Sequence, residues 1–587
     1  MATIHVSGTQ LQPAKPVIPL NRPFIMALSA VFLLFMHVFM PNPGGSGLAL
    51  TFNNTTWAGL SLAIGLGLYQ ISINHYLRYN KFTIGLLIAC GLLSLPMLYS
   101  AADIPTVAPR ILALWSGWVF FIALQQFRLG NKHKQRILEL IVIASVIEAL
   151  IGYGQYFWLE PGNQFGYNAI DNRPYGIFQQ ANVMASFLAT GLVLSGYLLA
   201  RKNNRYSTLL DTGLHYITPL LLTPMLVVLA SRTGWISALV VVVMIMPYLW
   251  RFSTKRRALT WLAMVVIGTG LGFVASQHQH KTEFIAQKVT LTDVRQDIYS
   301  QAMDMMIEKP FTGWGYGRFE SQYTLYTARQ HQINHKYQPG LPAMDHPHNE
   351  ILLWGIEGGI VPLFGLLLVA LLTVARIRQA KPGTRLALLA LFVPLLLHSQ
   401  LEYPFYHSAI HWIVLIILLY WVDQRTSKLR HAHFSPLIKA GLRVSCLVVP
   451  VATMTYMVSA MHTNHVLTQF EQSSPKDPKI LERISNPYAW AERYQWAIYS
   501  TYFDIGLQTG DHSYTQVYIN WSLDMIKRKP RPELYKNLIL AYSAMGDERK
   551  AKQVRTEAEL LYPRLAFPAQ SRTAPVRASV ITPDLQP

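Results

Sequence analysis

Apolar runs of about twenty residues recur along most of the chain, each long enough to cross a bilayer core of roughly 30 Å as a helix. They fall near 24–40, 57–74, 82–99, 109–127, 137–158, 182–200, 214–230, 233–250, 258–276, 350–375, 384–398, 408–422 and 438–460. Backbone inside hydrocarbon finds no water, so runs of this length must close their own hydrogen bonds as helices. The expected fold class is an all-α polytopic membrane protein with roughly thirteen transmembrane helices. Composition agrees, since only 14% of the 587 residues are charged, where a soluble domain carries about a quarter.

The connections carry an orientation signal. Every second one is basic: HYLRYNK (75–81), FRLGNKHKQR (127–136), RKNNR (201–205), RFSTKRR (251–257), RIRQAKPGTR (376–385) and DQRTSKLRHAH (423–433). The alternate connections, such as PNPGGSGLALTFNNTT (41–56), hold few or no basic residues. Lysine and arginine are retained on the cytoplasmic side. The N-terminus is therefore expected in the cytoplasm and the C-terminal segment outside, which in a didermic bacterium means the periplasm beyond the inner membrane. The same clustering accounts for the net charge of +20, so no nucleic-acid partner is expected. The first 23 residues are too long and polar for a usual signal peptide, and the first apolar run reads as a retained helix. Cys90 and Cys446 each lie in an apolar run, which leaves no disulfide framework and no zinc ribbon.

The expected division is a cytoplasmic tail (1–23), nine spans (24–276), a large outer loop (277–349), four further spans (350–460), an outer helical domain (461–565) and a tail (566–587) of disordered composition. In the helical domain, PELYKNLILAYSAMGDERKAKQVRTEAELLYP (532–563) reads as two helices joined at Met545-Gly-Asp, with tetratricopeptide-like spacing. Residues 487–529 have room for another pair. One hairpin does not bury a repeat core by itself, so the reading is a small helical domain.

Polar chemistry collects on the outer side. Charges at membrane depth are costly and tend to be paired or functional. DNRPYGIFQQANVMASF (171–187) holds Arg173, the only basic residue of its loop, and Asn182. Ser231-Arg232-Thr-Gly-Trp lies at an outer turn between two spans. The long loop contributes Arg295 and Arg318 within DVRQDIYSQAMDMMIEKPFTGWGYGRFE (293–320) and ends in MDHPHNEILLWG (344–355), with His346, His348 and Asn349. HSQLEYPFYH (398–407) adds His398, Glu402 and His407. Arg173 and Arg232 can equally bind lipid phosphates at the interface, Arg295 and Arg318 can be loop ion pairs, and Glu402 can cap a helix.

His346 and His348 share a face if the segment is extended. A metal site, a structural role and acid–base chemistry all stay open for them, although a convincing third ligand is missing locally. Guanidinium forks bind phosphate oxygens in bidentate fashion, and an imidazole takes a proton near neutral pH. Neither an outer Asp-x-Asp pair nor a Walker A, G-x-S-x-G or H-E-x-x-H motif appears. Metal-independent group transfer from a lipid diphosphate is the coherent reading, with membrane lipids around it.

These motifs resemble the O-antigen ligase and polymerase superfamily. The likeness rests on RPYGIFQQANVMASF, SRTGW, EKPFTGWGYGRFE and HPHNEILLWGIEGGIVPL in that order, over roughly residues 170–560. LEYPFYHSAIHWIVL (401–415), then a last span and an outer helical domain, is most similar to the bacterial O-linked oligosaccharyltransferases that glycosylate pilins. The resemblance implies a glycosyltransferase of the large membrane-embedded (GT-C-like) class that needs no cofactor. Its donor would be an undecaprenyl-diphosphate-linked oligosaccharide, and its acceptor a serine or threonine of a type IV pilin-like protein. It further implies that His348 is the essential base and that Arg232 and Arg295 bind the diphosphate. Arg295 is anchored only by spacing. Arg173, Asn182, His346, Asn349 and Glu402 lie in recurring motifs without an assigned role. An O-antigen ligase acting on lipid A-core, a polymerase, a transporter of a lipid-linked substrate and a protein scaffold are the competing readings.

Overall fold

The computed structural model describes residues 20–42, 44–170, 173–201, 209–278 and 295–568. The tail 1–19, connector residues 202–208, loop residues 279–294 and the tail from 569 onward lie outside the described residues. Among the described residues, nine helices are long and apolar enough to cross a membrane. They are Thr51–Asn74, Lys81–Leu98, Ile104–Gln126, Asn131–Phe157, Ala181–Ala200, Arg232–Phe252, Lys255–Gln277, Ile360–Arg378 and Pro436–Gln472. Asn21–His37, Thr212–Val228 and Ala409–Asp423 are shorter apolar helices. The chain is a multi-pass, mostly helical membrane protein.

Three expected spans differ from what is observed. The run 350–375 is two helices, Glu350–Gly358 and Ile360–Arg378, broken where Gly359 takes φ +70°. Only glycine fits there, because a Cβ would lie 2.2 Å from the Phe311 carbonyl oxygen. The run 384–398 is likewise two short helices, Arg385–Ala390 and Val393–Ser399. Pro394 lies in the first turn of the second, where its missing N–H costs nothing. The last span does not stop near 460. Pro436–Gln472 is one helix of 37 residues, about 55 Å long at 1.5 Å per residue, and so carries the chain well clear of a bilayer core.

Ala181–Ala200 is the central helix, buried on every side. Helices Asn131–Phe157, Leu209–Val228 and Arg232–Phe252 pack around it. Small residues allow that approach: a Cβ on Gly191 would stand 1.9 Å from Ser145 Oγ. The basic connectors meet at one end of the bundle. Tyr76–Tyr79 and Arg430–His433 pair as an antiparallel ribbon, Arg128 donates to the Tyr76 hydroxyl (3.2 Å), and Arg425 donates to that of Tyr197 (3.0 Å). Buried Asp423 accepts from Asn80 Nδ2 (2.6 Å) and pairs with Arg376 Nε (3.0 Å).

At the other end, helices Arg295–Glu308 and Phe319–Ile333 flank the KPFTGWGYGR segment. This segment clamps the end of Glu350–Gly358. Trp314 N donates to the Ile356 carbonyl (2.7 Å), Gly315 N to that of Glu357 (3.0 Å), and Ile360 N to that of Pro310 (2.8 Å). The Glu357 carboxylate accepts from Gly317 N (3.0 Å) and Phe319 N (3.3 Å) and pairs with Arg110 Nη2 at 2.6 Å. Arg110 in turn lies over the rings of Tyr316 and Trp354. The glycines of GWGYG take φ of +66°, +107° and +77° at 313, 315 and 317, which explains their type.

Beyond the last long helix, Ala491–Thr509, His512–Arg528, Pro532–Ala544 and Glu548–Leu561 form two hairpins around Trp496, Phe503, Tyr518, Tyr535 and Leu538. They rest on helix Phe319–Ile333, where Arg531 grips Glu320 at 2.8 and 3.2 Å.

Removing the Glu357 carboxylate would leave Arg110 buried and unpaired and orphan two backbone N–H groups. Glu357→Ala should therefore cost about 3–5 kcal/mol, visible as a lowered melting temperature in detergent. An unchanged melting temperature would show that the clamp does not hold the loop.

Candidate active site

The site is organised by one buried carboxylate. Glu402 lies between helices Val393–Ser399 and Pro404–His407, its N–H bonded to the His398 carbonyl at 2.8 Å. This places its side chain at the N-terminus of the central helix, where the helix dipole favours a negative charge. Oε1 accepts from Asn182 Nδ2 and from Arg295 Nη2, both at 2.6 Å, and Oε2 accepts from Gln180 Nε2 at 2.8 Å. His398 Nε2 stands 3.9 Å from Oε2. Burial raises the Glu402 carboxyl, but His398, Arg295 and Asn182 outweigh it and hold the group down, from an ordinary 4.5 to about 2.

Asn182 extends the network outward. Its Oδ1 accepts from Arg173 Nη2 at 3.1 Å, and Arg173 also donates to the carbonyls of Leu229 (2.7 Å) and Ala230 (3.3 Å). Those carbonyls precede Ser231, whose hydroxyl caps the following helix by accepting from Gly234 N at 3.2 Å. Arg173 thus holds the turn on which Arg232 begins its helix.

The HPHNE segment closes over this cluster. Asn349 caps Glu350–Gly358, its Oδ1 accepting from Leu352 N (3.0 Å) while its Nδ2 donates to the Gln400 carbonyl (3.1 Å). The Tyr299 hydroxyl lies 3.0 Å from the His348 carbonyl oxygen and 2.8 Å from that of Gln400, tying the turn to the Glu402 loop. His348 has φ +54°, a left-handed conformation uncommon outside glycine. Strain of this kind collects at functional sites. The His348 ring faces Tyr403 at 5.5 Å between centroids, and its buried Nδ1 has no hydrogen-bond partner among the described residues. Burial pushes the His348 imidazole below its ordinary 6.5; Glu402 and Asp345 oppose this, while His346 and Arg295 reinforce it. A neutral imidazole at pH 7 can accept a proton.

Asn182 and Arg295 thus bond Glu402 directly and Arg173 through Asn182, His348 and Asn349 are tied to its loop at the Gln400 carbonyl, His346 accepts the His348 N–H, and Arg232 lies on the adjoining turn. Arg318 is not brought in. It is exposed at the start of Phe319–Ile333, beside the Glu357 clamp, and no described hydrogen bond or ion pair links its side chain to the Glu402 cluster. Among the described residues, no three His, Cys, Asp or Glu side chains are grouped to hold a metal ion.

Several participants escaped sequence reasoning. Gln180 sits in the same motif as Asn182, and its place directly before an apolar run was the available signal. Arg110 and Glu357 were visible as charges inside apolar runs. Beneath Glu402, His398 Nδ1 meets Ser186 Oγ (2.7 Å), Ser186 Oγ meets His411 Nε2 (3.0 Å), and His411 Nδ1 meets Ser408 Oγ (2.9 Å). Buried His407 donates from Nε2 to the Phe178 carbonyl at 2.7 Å, which gives it a structural role.

A carboxyl depressed by folding adds stability that is complete above its ordinary value and lost as pH falls through its folded value. For Glu402 that window runs from 4.5 down to about 2. The gap in melting temperature between wild type and Glu402→Gln should therefore be widest above pH 4.5 and narrow below it. A gap that stays constant down to about pH 2 would contradict the assignment.

Comparison with known proteins gives three family matches along the chain. Residues 174–199 match the protein glycosylation ligase model, residues 217–370 the O-antigen ligase model, and residues 386–576 the C-terminal part of the virulence factor membrane-bound polymerases. Asn182 falls in the first, Arg232, Arg295, His346, His348 and Asn349 in the second, and Glu402 in the third. A general O-oligosaccharyltransferase of Acinetobacter baylyi is 22% identical over 375 residues, which cover 60% of this chain and 62% of that protein. The chain therefore matches less than two thirds of that relative's length. The order of the three matches, together with this relative, supports kinship with the O-oligosaccharyltransferases of the O-antigen ligase superfamily.

Proposed function

We propose that this chain is an O-linked oligosaccharyltransferase of the bacterial inner membrane, with its N-terminus in the cytoplasm and its site and C-terminal helices in the periplasm. It transfers an oligosaccharide from an undecaprenyl-diphosphate-linked donor to a serine or threonine hydroxyl of a pilin-like protein. The observation that carries this reading is the convergence of Arg295, Asn182 and the Arg173-held turn of Arg232 on buried Glu402, with His348 closing the cluster. The family description "protein glycosylation ligase" over residues 174–199 supports a protein acceptor.

Arg232 and Arg295 grip the diphosphate, and Glu402 keeps the Arg295 fork oriented. The acceptor oxygen attacks the anomeric carbon from the face opposite the diphosphate. The carbon–oxygen bond to phosphate breaks, the leaving diphosphate takes the electron pair, and the hydroxyl proton goes to His348. Configuration inverts, and no metal is asked of the site. A cavity of about 800 Å³ runs inward from Glu350 and Gln400 between apolar walls that include Leu114, Trp118, Val369 and Leu415. Such a slot suits the hydrocarbon chain of a lipid donor.

The test is intact-mass spectrometry of a pilin-like acceptor incubated with purified protein, lipid-linked oligosaccharide and EDTA. Wild type should add a glycan-sized mass. His348→Ala should be slower by at least about 100-fold, and Arg232→Lys and Arg295→Lys by about 100-fold each, because lysine lacks the fork. Glycosylation of lipid A-core in place of the protein would establish the ligase reading. Full activity in both lysine variants would remove the arginines from the diphosphate site.

The pH profile follows from the sign of the His348 shift. Its base form persists below 6.5, so the acid limb of kcat/KM should inflect below that value. Glu402→Gln removes a charge that raises His348 and should move the inflection lower still. An inflection above 6.5 would contradict His348 as the base.

A further inference from the structure

The left-handed backbone of His348 needs a hold, and His346 supplies it. Proline followed by a left-handed residue is the central pair of a type II turn, where glycine normally stands. Here the second residue carries a Cβ and an imidazole. Its N–H donates to His346 Nδ1 at 2.9 Å. A backbone N–H only donates, so that Nδ1 carries no proton, and a neutral His346 holds its single proton on Nε2. Nε2 is buried without a hydrogen-bond partner among the described residues, and so is Glu350 Oε2, which lies 3.9 Å away. Glu350 Oε1 is held by Trp354 Nε1 (2.7 Å) and the Tyr406 hydroxyl (2.9 Å). The His346 ring is wedged against Tyr403 and Tyr406, with centroids at 4.9 and 5.4 Å.

We propose that His346 and Glu350 are a positioning pair for His348: Glu350 keeps His346 protonated on Nε2, and the bare Nδ1 then locks the His348 N–H and with it the direction of the catalytic ring. This rests on the reading of His348 as the base. A side-chain acceptor bonding the N–H two residues on is also the geometry that asparagine offers in an Asx-turn. The substitution His346→Asn would do the same work with no tautomer to control. The substitution Glu350→Gln would present a donor to His346 Nε2, drive the proton to Nδ1 and break the lock.

The test compares His346→Phe, His346→Asn, Glu350→Gln, the double variant His346→Asn/Glu350→Gln and His348→Ala in the full chain, with lipid-linked oligosaccharide and acceptor protein. His346→Phe and Glu350→Gln should lower kcat about 10- to 100-fold, since a small misplacement of a reacting group has effects of that size. Both KM values should stay within about twofold when kcat is referred to the folded fraction, since unfolded protein alone would lower the apparent kcat. His346→Asn should recover most of the rate, and Glu350→Gln should cost nothing further in that background. Wild-type kcat in His346→Phe, no rescue by asparagine, or an equal Glu350→Gln loss in both backgrounds would overturn the pairing. An inactive His348→Ala beside an active His346→Phe removes the pairing alone, whereas an active His348→Ala removes the base assignment and the pairing with it. Independently of turnover, 15N spectra of histidine-labelled protein should show His346 protonated on Nε2 at pH 7. Protonation on Nδ1 would overturn the proposal.

Discussion

One end of this membrane bundle is arranged around a carboxylate that has left water. An isolated charge in such a place costs several kcal/mol, so every group near Glu402 is constrained to answer it. Asn182 and Gln180 come from the start of the central helix, and Arg295 comes from the segment that follows the ninth expected span. One carboxylate thus ties a buried helix to a loop 107 residues away from it in sequence. Asn182 passes the constraint to Arg173, and Arg173 passes it to the turn that begins with Ser231. The positions of two arginines and the fold of one turn follow from satisfying a single charge.

A second buried ion pair does the same for the HPHNE segment and the helix it begins. Glu357 binds Arg110 and the backbone of the glycine-rich loop, which fixes the C-terminal end of Glu350–Gly358. Asn349 and Tyr299 fix its other end to the Glu402 loop. The short helix is therefore held at both ends, and the strained residue before it, His348, is held with it. The loop thus positions the proposed base with the stiffness of a helix. The break at Gly359 lets the helix turn away from the span that follows.

Hydropathy and charge made the multi-pass helical fold legible, because both follow directly from transfer of side chains into lipid. The connectors read as basic also meet in space, as the pairing of Tyr76–Tyr79 with Arg430–His433 illustrates. The breaks inside 350–375 and 384–398 were not legible: hydropathy responds to composition, while the first break depends on a left-handed glycine and its contact with Phe311. The residues of the site could be named because polar groups beside apolar runs are costly and few. Their partners could not, since Glu402 and Asn182 stand 220 residues apart. GWGYG, part of a motif that carried the resemblance, forms a clamp, and Arg318 beside it remains exposed.

In the proposed mechanism Arg232, Arg295 and His348 meet around a lipid diphosphate. The most direct test of this is a structure of the full chain in a lipid nanodisc with an undecaprenyl-diphosphate-linked donor bound. The diphosphate should lie between Arg232 and Arg295, with the lipid chain in the apolar cavity and the anomeric carbon facing the His348 ring. A diphosphate bound elsewhere, or bridged to the protein by a metal ion, would contradict it.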